Sequence, residues 1–223
     1  MNSAIRSFFI SIFSLLLLLG SLLGYRFYNI FFVDNTNFDS ESIKLYIKPN
    51  TNFVTLNNQI RPYIKSSYYF SIAAEKKGYS SNIKSGLYII PKNSNNNEII
   101  NNLRSNSQSV KVTFNNHERL ENLAGRVSKQ IALDSSLLLK SFKDKSFIDH
   151  NGFDIINAIS MYLPNTYDFF WDVSPETFRN KMLESYNNFW NENRISKAKQ
   201  IGLSQKEVSV LASIVQKESQ MKD

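Results

Sequence analysis

The residue with the most chemistry in it is a carboxylate at the far end of an apolar helix, Glu218 in LASIVQKES (211–219). On a wheel of about 100° per residue, Val208, Leu211, Ala212 and Val215 share one arc. Glu218 lies at the edge of that arc, on the side of Leu211 and Ile214, while Lys206 and Lys217 point elsewhere. Such a helix reads as buried. A carboxyl group held against apolar neighbours is desolvated, and desolvation favours its neutral form. A carboxylic acid kept protonated near neutrality can serve as a general acid. Taken alone, a glutamate near a helix end is more often a solvated flank.

The second stretch is MYLPNTYDFFW (161–171), dense in aromatic rings around Pro164 and Asn165. Tyr162, Tyr167 and Trp171 could line a sugar-binding groove, because apolar ring faces pack on pyranose rings. Each ring reads equally well as core or cover. His117 and His150 stand apart, and His117-Glu118 lacks the second histidine of a zinc helix, which argues against a metal site. There is no cysteine, hence no disulfide and no thiolate site, and no GxSxG nucleophile elbow.

Several elements must position these residues. Between Arg6 and Arg26 run 19 uncharged residues, SFFISIFSLLLLLGSLLGY, close to the length of a bilayer's hydrocarbon core. We read residues 1–26 as a cytoplasmic tail and uncleaved transmembrane anchor, since the apolar run is long for a signal peptide and no small-x-small site follows. Everything after it would lie outside the cytoplasm. Residues 27–42 read as an aromatic belt and linker. Residues 43–114 read as strand, helix, helix, strand, helix, strand, a small α+β module without a glycine-rich phosphate loop. In it Thr51 can cap a helix carrying Phe53, Leu56, Ile60 and Ile64, and Val110, Val112 and Phe114 alternate as the third strand. Residues 115–223 are mainly helical. Asn116 and Asp134 are candidate caps, Ser174-Pro175-Glu176 is a helix start, and Ser204 to Glu207 is a capping box before the last helix. The fold class is therefore α+β. The net charge of +7 suits anionic lipid or a polyanionic wall polymer, and without a Lys/Arg cluster it argues against nucleic acid.

Anchor, α+β module, YLPNTY and then LASIVQKES, in that order, resemble the endolytic murein transglycosylases, the YceG-like family. The matching residues are Tyr162, Leu163, Pro164, Thr166 and Tyr167, then Ala212, Ser213, Ile214, Val215, Lys217 and Glu218. Met161 stands where a glycine is common, the Leu163-Pro164 junction lacks a common phenylalanine, and Gln216 replaces a frequent glutamate. None of these departures removes the acid.

The resemblance implies a LysM-like module at 43–114 and the start of a catalytic domain at 115–223. It also implies a lytic transglycosylase acting on peptidoglycan glycan strands between N-acetylmuramic acid and N-acetylglucosamine. Glu218 would be the catalytic acid and base, and Tyr162, Asn165 and Tyr167 candidate substrate contacts, with no cofactor or metal. The enzyme would sit at the outer face of the cytoplasmic membrane, where a penicillin-binding protein is a fitting partner. Asp168, Asp172 and Glu207 receive no role. Members of the family continue well beyond this helix, so the chain is expected to be a fragment. A non-catalytic, membrane-anchored wall-binding or scaffolding protein is the competing expectation, and a tether that binds only protein is a third.

Overall fold

The computed structural model describes residues 3–220 and divides the chain into two compact units, Met1–Gln108 and Ser109–Asp223. In the first unit, β1 (Ser42–Ile47) pairs antiparallel with β2 (Gly86–Pro91), Ser42 opposite Pro91 and Ile47 opposite Gly86. Between them in sequence come α2 (Phe53–Ile60), a short 3-10 turn (Arg61–Tyr63) and α3 (Ser67–Lys76), and α4 (Asn96–Arg104) follows β2. Alternation in β1 sends Leu45 and Ile47 into the core, where they join Leu56, Ile60, Phe70, Ile90, Ile99 and Leu103. Local chemistry sets the boundaries. Asn52 caps α2 by accepting from the Thr55 amide (2.9 Å), so the cap falls one residue after the expected Thr51, whose hydroxyl instead donates to the Lys48 carbonyl. Pro62 follows α2, and Ile64 leaves the helix yet stays buried. Gly78, at φ +66°, follows the end of α3. Asn95 and Glu98 form a reciprocal capping box for α4.

The N-terminal helix α1 (Ser3–Phe31) does not stop at Arg26. Residues 7–31 are long and apolar enough to cross a membrane. Its final turn is part of the first unit: Ile30 and Phe31 are buried in that core, and the Asn96 side chain donates to the Ile30 carbonyl (2.7 Å). The stretch expected as a linker, 27–42, is correspondingly packed. Asn35 donates to Asn96 Oδ1 (2.7 Å) and the Ser66 carbonyl (3.0 Å), and accepts from the Ser66 amide (2.8 Å). Asp34 pairs with Lys65 at 2.6 Å.

The second unit opens with β3 (Ser109–Phe114), which pairs antiparallel with β4 (Asn165–Phe170), Phe114 opposite Asn165. The strand assigned to the module from its alternation thus belongs to the other unit, and the division falls after residue 108, not 114. Alternation reveals a strand but not its partner, and the partner here is the aromatic stretch in which no strand was expected. Helices α5 (Leu120–Ser128), α6 (Ser135–Phe142) and α7 (Lys145–His150), a 3-10 turn (Ala158–Met161), β4, α8 (Pro175–Phe189), α9 (Glu192–Gln200) and α10 (Gln205–Gln220) complete it. Asp134 and Ser174 cap α6 and α8 as expected. Asn116 does not cap α5, whose start has no side-chain cap. Phe178 of α8 stacks on Phe169 of β4 (4.6 Å between centroids) and meets Phe142 of α6 (5.8 Å) at the centre of the core.

Candidate functional site

α10 starts from a reciprocal cap: the Ser204 amide donates to Glu207 Oε2 (2.7 Å) and the Glu207 amide to Ser204 Oγ (3.3 Å). The backbone bond from Ser204 draws the Glu207 carboxyl below its ordinary value, which marks it as a capping acid. Lys206, next along, donates to the Gly152 carbonyl and stands over the Phe153 ring, 5.2 Å from its centroid. These contacts hold one face of α10 against the rest of the second unit.

That face closes a cleft of about 350 Å³. Val208, Ser209, Val210, Ala212, Ser213 and Gln216 supply the α10 wall, and Tyr162, Leu163, Trp190, Asn116 and His117 are among the rest of the lining. Gln216 accepts from the Asn116 side chain, so the residue that fails to cap α5 instead ties β3's end to α10. Three residues of the lining, His117, Tyr162 and Trp190, carry a buried polar atom with no hydrogen-bond partner among the described residues: imidazole Nε2, phenol Oη and indole Nε1. Tyr162 and Trp190 are only 5% and 7% exposed. Burial pushes the Tyr162 phenol far above the usual tyrosine range, against a weaker opposing pull from Arg179, so it remains a neutral donor. A cleft with apolar walls and a few unsatisfied donors suits a polar ligand with apolar faces.

The structure separates the residues that the sequence grouped. Tyr162 lines the cleft, but as a core side chain, its ring 4.6 Å from Phe142. Tyr167 lies away from the cleft lining, stacked on Phe114 (5.6 Å) with its hydroxyl donating to the Leu163 carbonyl (2.7 Å), and burial raises its phenol as well. Asn165 opens β4, exposed, accepting from the Thr166 amide (2.8 Å). Trp171 is not among the cleft residues either.

Glu218 is on α10 but not on the cleft. Gln216 faces the cleft, and two further residues turn the helix by about 200°. Glu218 therefore stands on the opposite side, one turn beyond Ile214 and two beyond Leu211, and it is exposed. The expectation of a buried helix is overturned for this arc. Leu211, Ile214 and Val215 are 48%, 52% and 59% exposed, because α10 packs through Val208 and through its small and polar residues, which leaves the rest of the apolar arc open.

Trp190 and His117 were not expected at a site. Trp190 follows the last residue of α8 as its C-cap and is buried in the core of the second unit. In the sequence His117 stands apart from His150, and that isolation signals no site for it. The pairing of β3 with β4 brings the segment after β3 to α10, and nothing local in the sequence signals that.

Fold and site together define an α+β protein with an apolar N-terminal helix and a helix-walled cleft. Residues 45–223 match the YceG-like family, and the chain belongs to it. A solved yceG-like protein from Listeria monocytogenes is similar in structure at 16% sequence identity and a TM-score of 0.41, over 74% of this chain and 60% of that one. The chain thus spans 60% of that relative's length. No protein with a curated description matches it.

Proposed function

We propose that the chain belongs to a membrane-anchored endolytic transglycosylase that cuts peptidoglycan glycan strands, with Glu218 as the acid and base. Membership of the YceG-like family across residues 45–223, a range that includes both YLPNTY and the Glu218 helix, carries this reading. Glu218 in its acid form gives its proton to the glycosidic oxygen as the bond from C1 of N-acetylmuramic acid to that oxygen breaks. The substrate's own N-acetyl group supports the oxocarbenium-like centre. The carboxylate then takes the proton from the C6 hydroxyl as O6 bonds to C1. The product ends in 1,6-anhydro-N-acetylmuramic acid, water is not consumed, and one carboxyl suffices where a hydrolase commonly uses two.

The α1 helix supports a single-pass anchor in the cytoplasmic membrane, with both units outside the cytoplasm. Two helices inserted between paired antiparallel strands, as in β1–α2–α3–β2, support a LysM-like, glycan-orienting role for the first unit. A penicillin-binding protein as partner rests on the resemblance alone.

One observation favours the second reading, a non-catalytic wall-binding or scaffolding protein. The cleft, with its Tyr162 and Trp190 rings and unpartnered donors, is turned away from Glu218, so glycan can bind there without meeting the acid.

Mass spectrometry of purified peptidoglycan incubated with the protein, wild type and Glu218→Gln, separates the two. Glutamine keeps the shape but cannot donate and recover a proton. Anhydro ends from wild type alone are expected. Reducing ends would mean a hydrolase, and intact strands that still sediment with the protein would mean a binder. Glu218→Gln activity near wild type would remove this residue from the mechanism.

A further inference from the structure

α3 packs beside α1 where the uncharged run ends, and residues from both halves of α3 reach that level. At the start of α3, the Arg26 guanidinium donates to the Tyr68 hydroxyl, a long bond of 3.3 Å. Further along, Ile72 and Lys76 share an apolar groove with Leu23 and Phe27. Leu23 lies within the uncharged run, and Arg26 is the first charge after it, about 4.5 Å further along the helix axis. The inner face of α3 carries Phe70, Ala73 and Ala74, fully buried in the core of the first unit. Another face carries Tyr68, Ile72 and Lys76 at i, i+4 and i+8, a single stripe of the helix. Tyr68 and Lys76 are exposed, and Ile72 is half-buried.

Packing fixes this placement. Ile30 and Phe31 are buried in the unit's core and Asn96 donates to the Ile30 carbonyl, so α1 enters the unit without a hinge and α3 keeps its place beside it. With α1 as a membrane anchor, the run from Ser7 to Tyr25, about 28 Å as a helix, fills the hydrocarbon of a bilayer. Residues 23–26 then stand at its edge. Around that level α1 exposes Tyr25 and Tyr28, with Phe27 and Phe32, and tyrosine is enriched at membrane interfaces. Tyr68 adds a ring to this belt from a second element, its hydroxyl held at the level of Arg26. A ring with a polar tip, an isoleucine and a lysine whose long stem lets its charge reach water make the face of an interfacial helix. We propose that the Tyr68, Ile72 and Lys76 stripe of α3 lies in the headgroup layer of the bilayer, so that the first unit sits directly on the membrane and not on a stalk. So short a stripe does not hold a protein on a membrane alone; α1 supplies the anchorage, and α3 sets the height and orientation of the unit. This seating rests on the reading of α1 as a membrane anchor.

The chain has no cysteine, so nitroxide labels can be placed one at a time by Tyr68→Cys, Lys76→Cys, Lys48→Cys and Leu15→Cys in the full chain. All four side chains are exposed, so labelling leaves the cores intact. Phosphatidylcholine vesicles serve, because the stripe calls for an interface and not for a headgroup charge. Electron paramagnetic resonance compares collisions of each label with oxygen, which concentrates in the bilayer, and with a water-soluble nickel complex. Labels at 68 and 76 are expected to meet the nickel complex severalfold less than the label at 48, just past the end of β1. The label at 15 should be shielded most. Labels at 68 and 76 as open to nickel as the one at 48, with the label at 15 shielded, overturn the seating of α3 and leave the anchor standing. A label at 15 open to nickel overturns the anchor reading and the seating with it. In the Lys76→Cys chain, Tyr68→Ser should raise nickel access at 76 towards the value at 48, whereas Tyr68→Trp, which keeps an interfacial ring without the hydroxyl, should not. Equal effects of the two substitutions would reduce Tyr68 to a partner of Arg26 and take the ring out of the interface.

Discussion

Arg179 is 7% exposed, and a guanidinium so placed must find partners. It donates to the Ser141 carbonyl (3.0 Å) and to Asp144 (2.9 Å), and lies 3.7 Å from the centroid of the Phe147 ring. Asp144 is also the cap of α7, accepting from Ser146 and Phe147. The Ser146 hydrogen bonds, and then the Arg179 bond, hold its carboxyl down to about 2 from an ordinary 3.8. A depressed carboxyl stabilises the fold only when ionised, so this contribution is complete above the ordinary value and disappears as pH falls through about 2. Asp144→Asn keeps a capping oxygen and removes the charge. Urea unfolding should therefore show the variant less stable than wild type at neutral pH, with the gap closing as pH falls towards 2. A gap of equal size at both ends of that range would take the charge out of the account. At this scale the sequence is partly legible. Asp134, Ser174 and Ser204 act as caps because capping needs only a local oxygen and a free amide. Asn116 looks the same in sequence but is captured by Gln216, 100 residues away. Glu218 stands out in the sequence as a carboxylate at the edge of an apolar arc, whereas its position relative to a cleft is not a local property.

Helices and strands were read well where their periodicity met a buried face. α8 is the clearest case: its cap, Pro175 and the spacing of Phe178, Met182 and Tyr186 fix both its start and its inward side. Phe178 stacks on Phe169 and meets Phe142, so this single ring joins α8, β4 and α6. Phe178→Ala should cost about 3–5 kcal/mol, because a fully buried ring leaves a cavity that three elements cannot close together. Chemical denaturation followed by tryptophan fluorescence would measure it, since Trp190 lies in the same core. A loss below about 1 kcal/mol would show that the core collapses around the gap. β4 escaped notice because NTYDFF has no clean alternation: its burial is irregular, and its stability comes from the ladder with β3. α10 misled in the other direction. Its apolar arc has the period of a buried helix, but periodicity names the face that wants cover and not the face that receives it.

Across the whole molecule, the charge that ends the uncharged N-terminal run and the residue that ends the helix are different things. Arg26 ends the uncharged run of the sequence, and α1 runs on to Phe31 because the first unit buries Ile30 and Phe31 in its core. A boundary drawn at residue 26 from charge is thus sound for removing the anchor, while one drawn a few residues later cuts into a core. Deleting residues 1–26 should give a folded protein that no longer needs detergent. Deleting residues 1–36 removes Ile30, Phe31 and Asn35 together, leaving Asn96 and the Ser66 backbone without their partners. Each buried apolar side chain contributes about 1.5–3 kcal/mol, so the first unit should lose about 3–6 kcal/mol before the broken hydrogen bonds are counted. Hydrogen exchange would locate the loss: amides of β1, β2 and α4 should exchange faster in the longer deletion, and those of β3, β4 and α8 should not. Equal protection of the first unit in both deletions would mean that the end of α1 merely rests on the unit and is no part of its core.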